Sequence, residues 1–217
     1  AEKILRQRIN EMHMKKGVSI IDPQTTYIDK NVEIDNDTVI YPFTYIEGKT
    51  TLGSHTIVGP HSRLVDATIG DNVELKSNSN IWESRVEDNC TVGPYAYIRP
   101  GCKVNQGAKV GDFVELKKAN IGKGTKVPHL SYVGDASIGQ KTNVGAGTIF
   151  ANYDGKNKHK TKVGNSVFIG SNSTLVAPLE LGDNAKTGAG SVVTKDVNKN
   201  NVVLGVPARV HKKADND

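Results

Sequence analysis

Aliphatic side chains recur every six residues along most of this chain: Ile28, Ile34, Ile40, Ile46, Leu52, Val58 and Leu64 stand in unbroken phase. A five-residue step reaches Ile69, followed by Leu75 and Ile81; another reaches Val86, followed by Val92, Ile98, Val104, Val110 and Leu116. The series runs on through Ile121, Val127, Val133, Ile138 and Val144. After an interruption it resumes with Val163, Ile169, Leu175, Leu181, Thr187 and Val193. Four positions after many of these aliphatics sits a small residue, among them Thr38, Thr56, Ser62, Cys90, Ala96, Cys102, Ala108, Ser131, Thr142 and Ser173. A fixed short period of this kind marks a solenoid, in which each repeat buries its apolar face on its neighbours.

Each hexapeptide supplies a short strand with one inward aliphatic and a turn whose small residue fits the crowded corner. Asn and Asp beside Gly, as in residues 69–72 and 181–184, suit the tight-turn conformations. Three hexapeptides close a triangular coil, so residues 28–193 stack roughly nine coils, about 45 Å of prism at the usual strand spacing. Hydrophobic residues make up only 36% of the chain, beside 22 glycines; that is lean for a ball-shaped core and adequate for a thin one. The expected fold is all-β, a parallel β-helix. Residues 4–14 carry apolar side chains at 4, 5, 9, 12 and 14, consistent with a short helix before the first coil. The expected organisation is a linker helix segment over 1–20, the β-helix over 21–197 and a C-terminal tail over 198–217. Residues 150–162 break the six-residue phase and read as an extruded loop, the place in a regular solenoid where function concentrates.

Several classes are disfavoured. No run of 18 apolar residues occurs, and the first twenty residues are charged and amphipathic rather than signal-like, so a soluble, cytoplasmic protein without membrane contact is expected. Two cysteines twelve apart give neither a disulfide framework nor metal spacing, which leaves two buried, inert thiols. The net charge of +5 comes from 28 basic residues interleaved with 23 acidic ones, without a basic tract, so nucleic acid is not an expected partner. The histidines at 13, 55, 61, 159 and 211 show no zinc-ligand spacing, and no metal site is expected.

From Arg99 to Lys160 the runs FVELKKA, HLSYVGDA, NVGAGT and NYDGKNK closely resemble the acetyltransferase half of the bifunctional GlmU family, within the hexapeptide-repeat transferases. The resemblance extends over residues 1 to about 195. It implies a left-handed coil, which the strand pattern alone does not, since crossovers between parallel strands are normally right-handed. It implies acetyl transfer from acetyl-CoA to the amine of glucosamine 1-phosphate, on the route to UDP-N-acetylglucosamine, in a homotrimer with sites between subunits. No glycine-rich LxAGxGTRM loop occurs, so uridyltransfer and its magnesium are not expected of this chain.

Such a reaction needs a base for the amine proton, cations for the phosphate and donors for the developing oxyanion. Histidine titrates near neutrality, and His129, in the VPHLSY segment, is the expected base. The resemblance places Arg99, Lys117 and Lys158 on the phosphate, and Tyr132 and Asn143 on the sugar. It places Ala146, Asn152, Tyr153, Ser171 and Ala189 along the coenzyme, with a backbone N–H near Ala146 as oxyanion donor. Glu115 is a candidate to orient His129. Lys158, on the extruded loop, is expected to reach a neighbouring subunit. After residue 197 the sequence departs from the family pattern, and Arg209 in the GVPAR run stands in for its coenzyme-binding arginine. Two other readings stay open at this point: a related enzyme with another acceptor, such as a nucleotide-linked amino sugar or an amino acid, and a noncatalytic β-helical scaffold.

Overall fold

The computed structural model describes residues 1–213. Its strands are two to six residues long and fall into three sheets, parallel except for the last strand of the first, which are the faces of a triangular prism. The first face begins at Ser19–Ile20, the second at Tyr27–Ile28 and the third at Glu33–Ile34; every third strand stacks on the same face. The second face has ten strands, ending at Val192–Val193. The span from Ile28 to Val193 therefore holds nine intervals and ten layers. The prism is a left-handed parallel β-helix.

The aliphatics of the six-residue series fill the interior: Ile40, Ile46, Val58, Leu64, Leu75, Ile81, Val92, Ile98, Leu116 and Val133 are all fully buried. In-register stacking places Ile81 between Leu64 and Ile98, and Leu116 between Ile98 and Val133. The small residues also line the interior, where their hydroxyls bond carbonyls of the next coil, as Thr56 does to Gly70 and Thr125 to Gly139. These bonds satisfy polar groups that burial would otherwise penalise.

Most edges of the coils turn through a residue of positive φ. The third-to-first edge uses residues that tolerate this conformation, such as Asn72, Asn89 and Asn184. The first-to-second edge instead carries Phe43, His61, Tyr95, Phe113 and Leu130 at φ between 49 and 59°. Four of these rings stack across layers, Phe43 on His61 and Tyr95 on Phe113. The five-residue steps that reach Ile69, Val86, Ile121 and Ile138 all fall on the second-to-third edge, where Asp66, Glu83, Lys118 and Asp135 make the turn. Because the shortening always occurs at one edge, the register of the other two is undisturbed.

The helix Glu2–Lys15 covers the open end of the first coil. Its buried side chains are Ile9, Asn10 and His13, while Ile4, Leu5 and Met12 stay exposed. Asn10 anchors it through Nδ2 to the carbonyls of Pro23 and Thr26, at 3.0 and 3.1 Å. Burial lowers the pKa of His13, with Lys16 adding to the effect. At the other end Asn201–Gly205 pairs in parallel with Lys186–Thr187, then turns back antiparallel as Ala208–Lys213. The remainder of the segment read as a tail, residues 214–217, lies outside the described residues.

The interruption of the repeat is narrower than its phase suggests. Ile149–Ala151 and Thr161–Val163 both pair within the prism, and Phe150 fills an interior position at 0% exposure. Only residues 152–160 leave the coil. A bridge between Tyr153 and Lys158 and an Asx turn on Asp154 shape them.

Candidate active site

Two groups of polar residues form on adjacent edges of the prism. On the first-to-second edge the strand Lys126–His129 stacks on Lys109–Asp112, with Asp112 and His129 as register partners. Asp112 Oδ1 lies 2.7 Å from His129 Nδ1. Asp112 is held below the usual carboxylate range by its own backbone amide first and by the His129 ring next. Above His129 the same corner position is taken in successive layers by Ala146, Ser171 and Ala189. Backbone bonds record the stacking: Leu130 N to Asp112 O, Gly147 N to His129 O, Asn172 N to Ala146 O and Gly190 N to Ser171 O, at 2.7–3.3 Å. Small residues keep the column open, and Gly145 lets the layers close beside it; a Cβ there would come within 2.5 Å of the Ser171 nitrogen. At the top, Leu204 packs on Gly188 and pairs with Arg209, so Arg209 stands at the end of the column. From His129 to that hairpin is four layers, about 19 Å, a span suited to an extended pantetheine arm.

The second group surrounds the second-to-third edge. Arg99 and Lys117 stand one above the other on the second face, with Gly134 above both. Arg99 Nη1 bonds Glu115 Oε1 at 2.9 Å, which raises the guanidinium pKa. Lys117 Nζ lies 3.5 Å from Asp135 Oδ2, both largely covered, and the same carboxylate oxygen accepts a short bond from Asn152 Nδ2. Lys158 reaches back from the loop to Lys117. The two amines face each other; with the Asp135 carboxylate behind it Lys117 is held above its ordinary range, while the like charge of Lys117 pushes Lys158 below its own. Tyr132 lies across Gly134, where an added Cβ would meet its hydroxyl at 2.5 Å and Asn152 Nδ2 at 2.7 Å. Three cations, Arg99, Lys117 and Lys158, around the shared Asp135 carboxylate and a bound Glu115 make a ready anion site.

The candidate residues thus separate within one chain. Arg99, Lys117, Tyr132, Lys158 and Asn152 cluster together; His129, Ala146, Ser171 and Ala189 form the column, with Arg209 at its end. Asn143 lies in the strand Asn143–Val144 of the first face, stacked on Lys126, and not at a turn as its residue type suggests. Tyr153 is exposed and bonds Gly155 O at 2.7 Å. Glu115 does not orient His129 within the chain: its register partner is Tyr132 on the second face, and its carboxylate is engaged by Arg99. His159 is half-buried and bonds Asp154 across the loop at 2.7 Å. Asp112 and Asp135 were not singled out from the sequence. Each lies 17 residues from its partner, His129 or Asn152, one full coil away; that spacing is the one signal that could have found them.

Comparison with known proteins fits this geometry. The model of the bacterial transferase hexapeptide (six repeats) matches residues 83–118 and 160–195. Bifunctional protein GlmU of Clostridium novyi is 50% identical over 213 residues, 98% of this chain and 46% of that protein. GlmU of Syntrophomonas wolfei is 52% identical over 91% of this chain and 44% of its own length. The chain belongs to the hexapeptide-repeat transferase family. It spans about half the length of the curated relatives it matches. Among solved structures of this fold, Arabidopsis UDP-N-acetylglucosamine acyltransferase superposes with a TM-score of 0.77 over 87% of this chain and 73% of its own, at 16% identity. Among the described residues of this hexapeptide protein, no group of three or more His, Cys, Asp and Glu is placed to hold a metal ion. No described helix is long and apolar enough to cross a membrane. Both cysteines are buried and unpaired.

Proposed function

We propose that this chain transfers acetyl from acetyl-CoA to the amine of glucosamine 1-phosphate, giving N-acetylglucosamine 1-phosphate and CoA in the cytoplasm, on the route to UDP-N-acetylglucosamine. The observation that carries the reading is the column of His129, Ala146, Ser171 and Ala189 along one edge, with a cation cluster on the next. The 50% identity to GlmU relatives supports the choice of acceptor. In this reading Arg99, Lys117 and Lys158 hold the phosphate, and Tyr132 and Asn143 the sugar. The coenzyme arm runs along Ala146, Ser171 and Ala189 toward Arg209, with Asn152 and Tyr153 closing on it from another subunit. The amine attacks the thioester carbonyl, His129 takes its proton, and the thiolate leaves as CoA. Holding both reactants in line supplies much of the rate. No residue of the chain is acylated on the way.

The separation of the two groups supports an assembly. His129 and the Lys117 column are five residues apart along the second face, about 16 Å of extended chain. A sugar phosphate bridging both groups fits between the edge of one subunit and that of the next, as in a homotrimer.

The test is CoA release from acetyl-CoA with glucosamine 1-phosphate, for the native chain and His129→Ala, with a nucleotide-linked amino sugar as control. The expected result is activity confined to the sugar phosphate and lowered about 10²- to 10⁴-fold in the variant. Release with the nucleotide-linked sugar alone points to another acceptor; none with either substrate points to a scaffold.

A further inference from the structure

A histidine accepts a proton productively only if its free nitrogen faces the reacting group. In neutral imidazole one nitrogen is a donor and the other an acceptor, and a hydrogen bond at one decides which role the other plays. His129 is half-exposed at a corner of the prism. Packing leaves its ring little held: the layer above offers Gly145 and Ala146, and Leu130 beside it points outward at 60% exposure. One polar contact restrains the ring, the 2.7 Å approach of Asp112 Oδ1 to Nδ1.

We infer that Asp112 is a positioning residue for the acetyl transfer. It accepts the Nδ1 proton of His129 and so presents an unprotonated Nε2 to the acceptor amine; this rests on the functional reading above. A carboxylate that is ionised can only accept, so the proton between the two groups belongs to Nδ1. The state of Asp112 agrees, since its backbone amide and the ring keep it ionised well below neutral pH. During transfer the amine proton goes to Nε2, the N–C bond forms, the C–S bond breaks and the CoA thiolate leaves. The imidazolium so formed faces the Asp112 charge, which lowers its cost.

The surroundings leave Asp112 as the group that sets the behaviour of the ring. Lys109, on the strand of Asp112 itself, also acts on that carboxylate as a charge. The layer beneath brings Pro94 and the Tyr95 phenol, whose ring stacks on Phe113. The layer above brings Ala146 and Gly147, without charge. On the facing strands of the first face, Lys126 and Asn143 are register partners and add one ammonium. The register makes the pairing specific, because Asp112 and His129 occupy the same corner of consecutive coils.

The experiment compares the native chain with Asp112→Ala by steady-state kinetics and by nitrogen NMR of the His129 ring, which reports which ring nitrogen carries the proton, assigned with His129→Ala. The expected result is a kcat lowered about 10- to 100-fold with both KM values within about twofold and an unchanged unfolding midpoint. Without its acceptor Nδ1 no longer holds the proton, and the neutral ring should redistribute between its two tautomers. A merely structural carboxylate moves neither kcat nor the tautomer. An Asp112→Ala protein with native kcat and an unmoved His129 tautomer overturns the inference, whether or not the functional reading stands. A native chain that transfers no acetyl overturns that reading instead, and the positioning role with it.

Discussion

At the scale of single residues, the interior of the prism settles what its thiols can do. Burial pushes the Cys90 thiol up to about 11 and raises Cys102 as well. At pH 8 about one Cys90 in a thousand is thiolate, and thiolate is the reactive form. Iodoacetamide at that pH should label neither cysteine of the native protein and both after unfolding, as read by mass spectrometry. Replacing both by alanine should leave acetyl transfer largely intact; loss of all turnover would point to an acyl-cysteine. Gly134 is constrained from the opposite direction. Gly134→Ala drives a methyl into the Tyr132 hydroxyl and the Asn152 amide, so both must move. We expect a cost of about 1–3 kcal/mol, together with a KM for the sugar phosphate raised about tenfold, since one unit of binding free energy near 1.4 kcal/mol is that factor. A native KM would show that Tyr132 does not touch the acceptor.

Elements of this fold are strands so short that none is stable alone, and each holds through its neighbours above and below. Leu116→Ala removes a fully buried side chain stacked between Ile98 and Val133. A loss of about 2–5 kcal/mol is expected, measured by urea denaturation, and it should fall on the whole prism rather than on one layer. Replacing residues 153–159 with two glycines should do the reverse, leaving the unfolding midpoint nearly unchanged while abolishing transfer, because that loop lies outside the coil. These elements were readable in the sequence to different depths. The aliphatic phase from Ile28 to Val193 made the coil legible directly, since the inward strand positions are aliphatic almost throughout. The helix was legible as a helix, yet its buried face was not: Ile4, Leu5 and Met12 are exposed, while Asn10 and His13 are covered. The first coil presents carbonyls at Pro23 and Thr26, so it selects an amide over a longer apolar side chain. The proposed base His129 was legible through its motif. Its partner was not, because Asp112 lies one coil away in sequence and only the stacking register makes them neighbours. Glu115, nearer in the chain to Lys117, is drawn off by Arg99.

At the scale of the whole molecule, the distribution of the candidate site over two edges predicts how subunits share it. A single prism cannot bring its own His129 to its own Lys158 without crossing the second face, so the reading requires His129 of one subunit to meet Lys117 and Lys158 of another. Sedimentation should therefore give a trimer. Two inactive variants provide a sharper test. His129→Ala keeps the cation cluster and lacks the base; Lys158→Ala keeps the base and lacks one cation of the loop. Unfolded together in equal amounts and refolded, they should recover up to about one quarter of native activity, the chance that a site draws its intact base and its intact lysine from different neighbours. Each variant refolded alone should stay inactive. If both residues of a site came from the same chain, every mixed site would lack one of them and mixing would restore nothing. A mixture that stays dead while sedimenting as a trimer would place His129 and Lys158 of one subunit in one site and require the loop to swing away from Lys117 toward its own first edge.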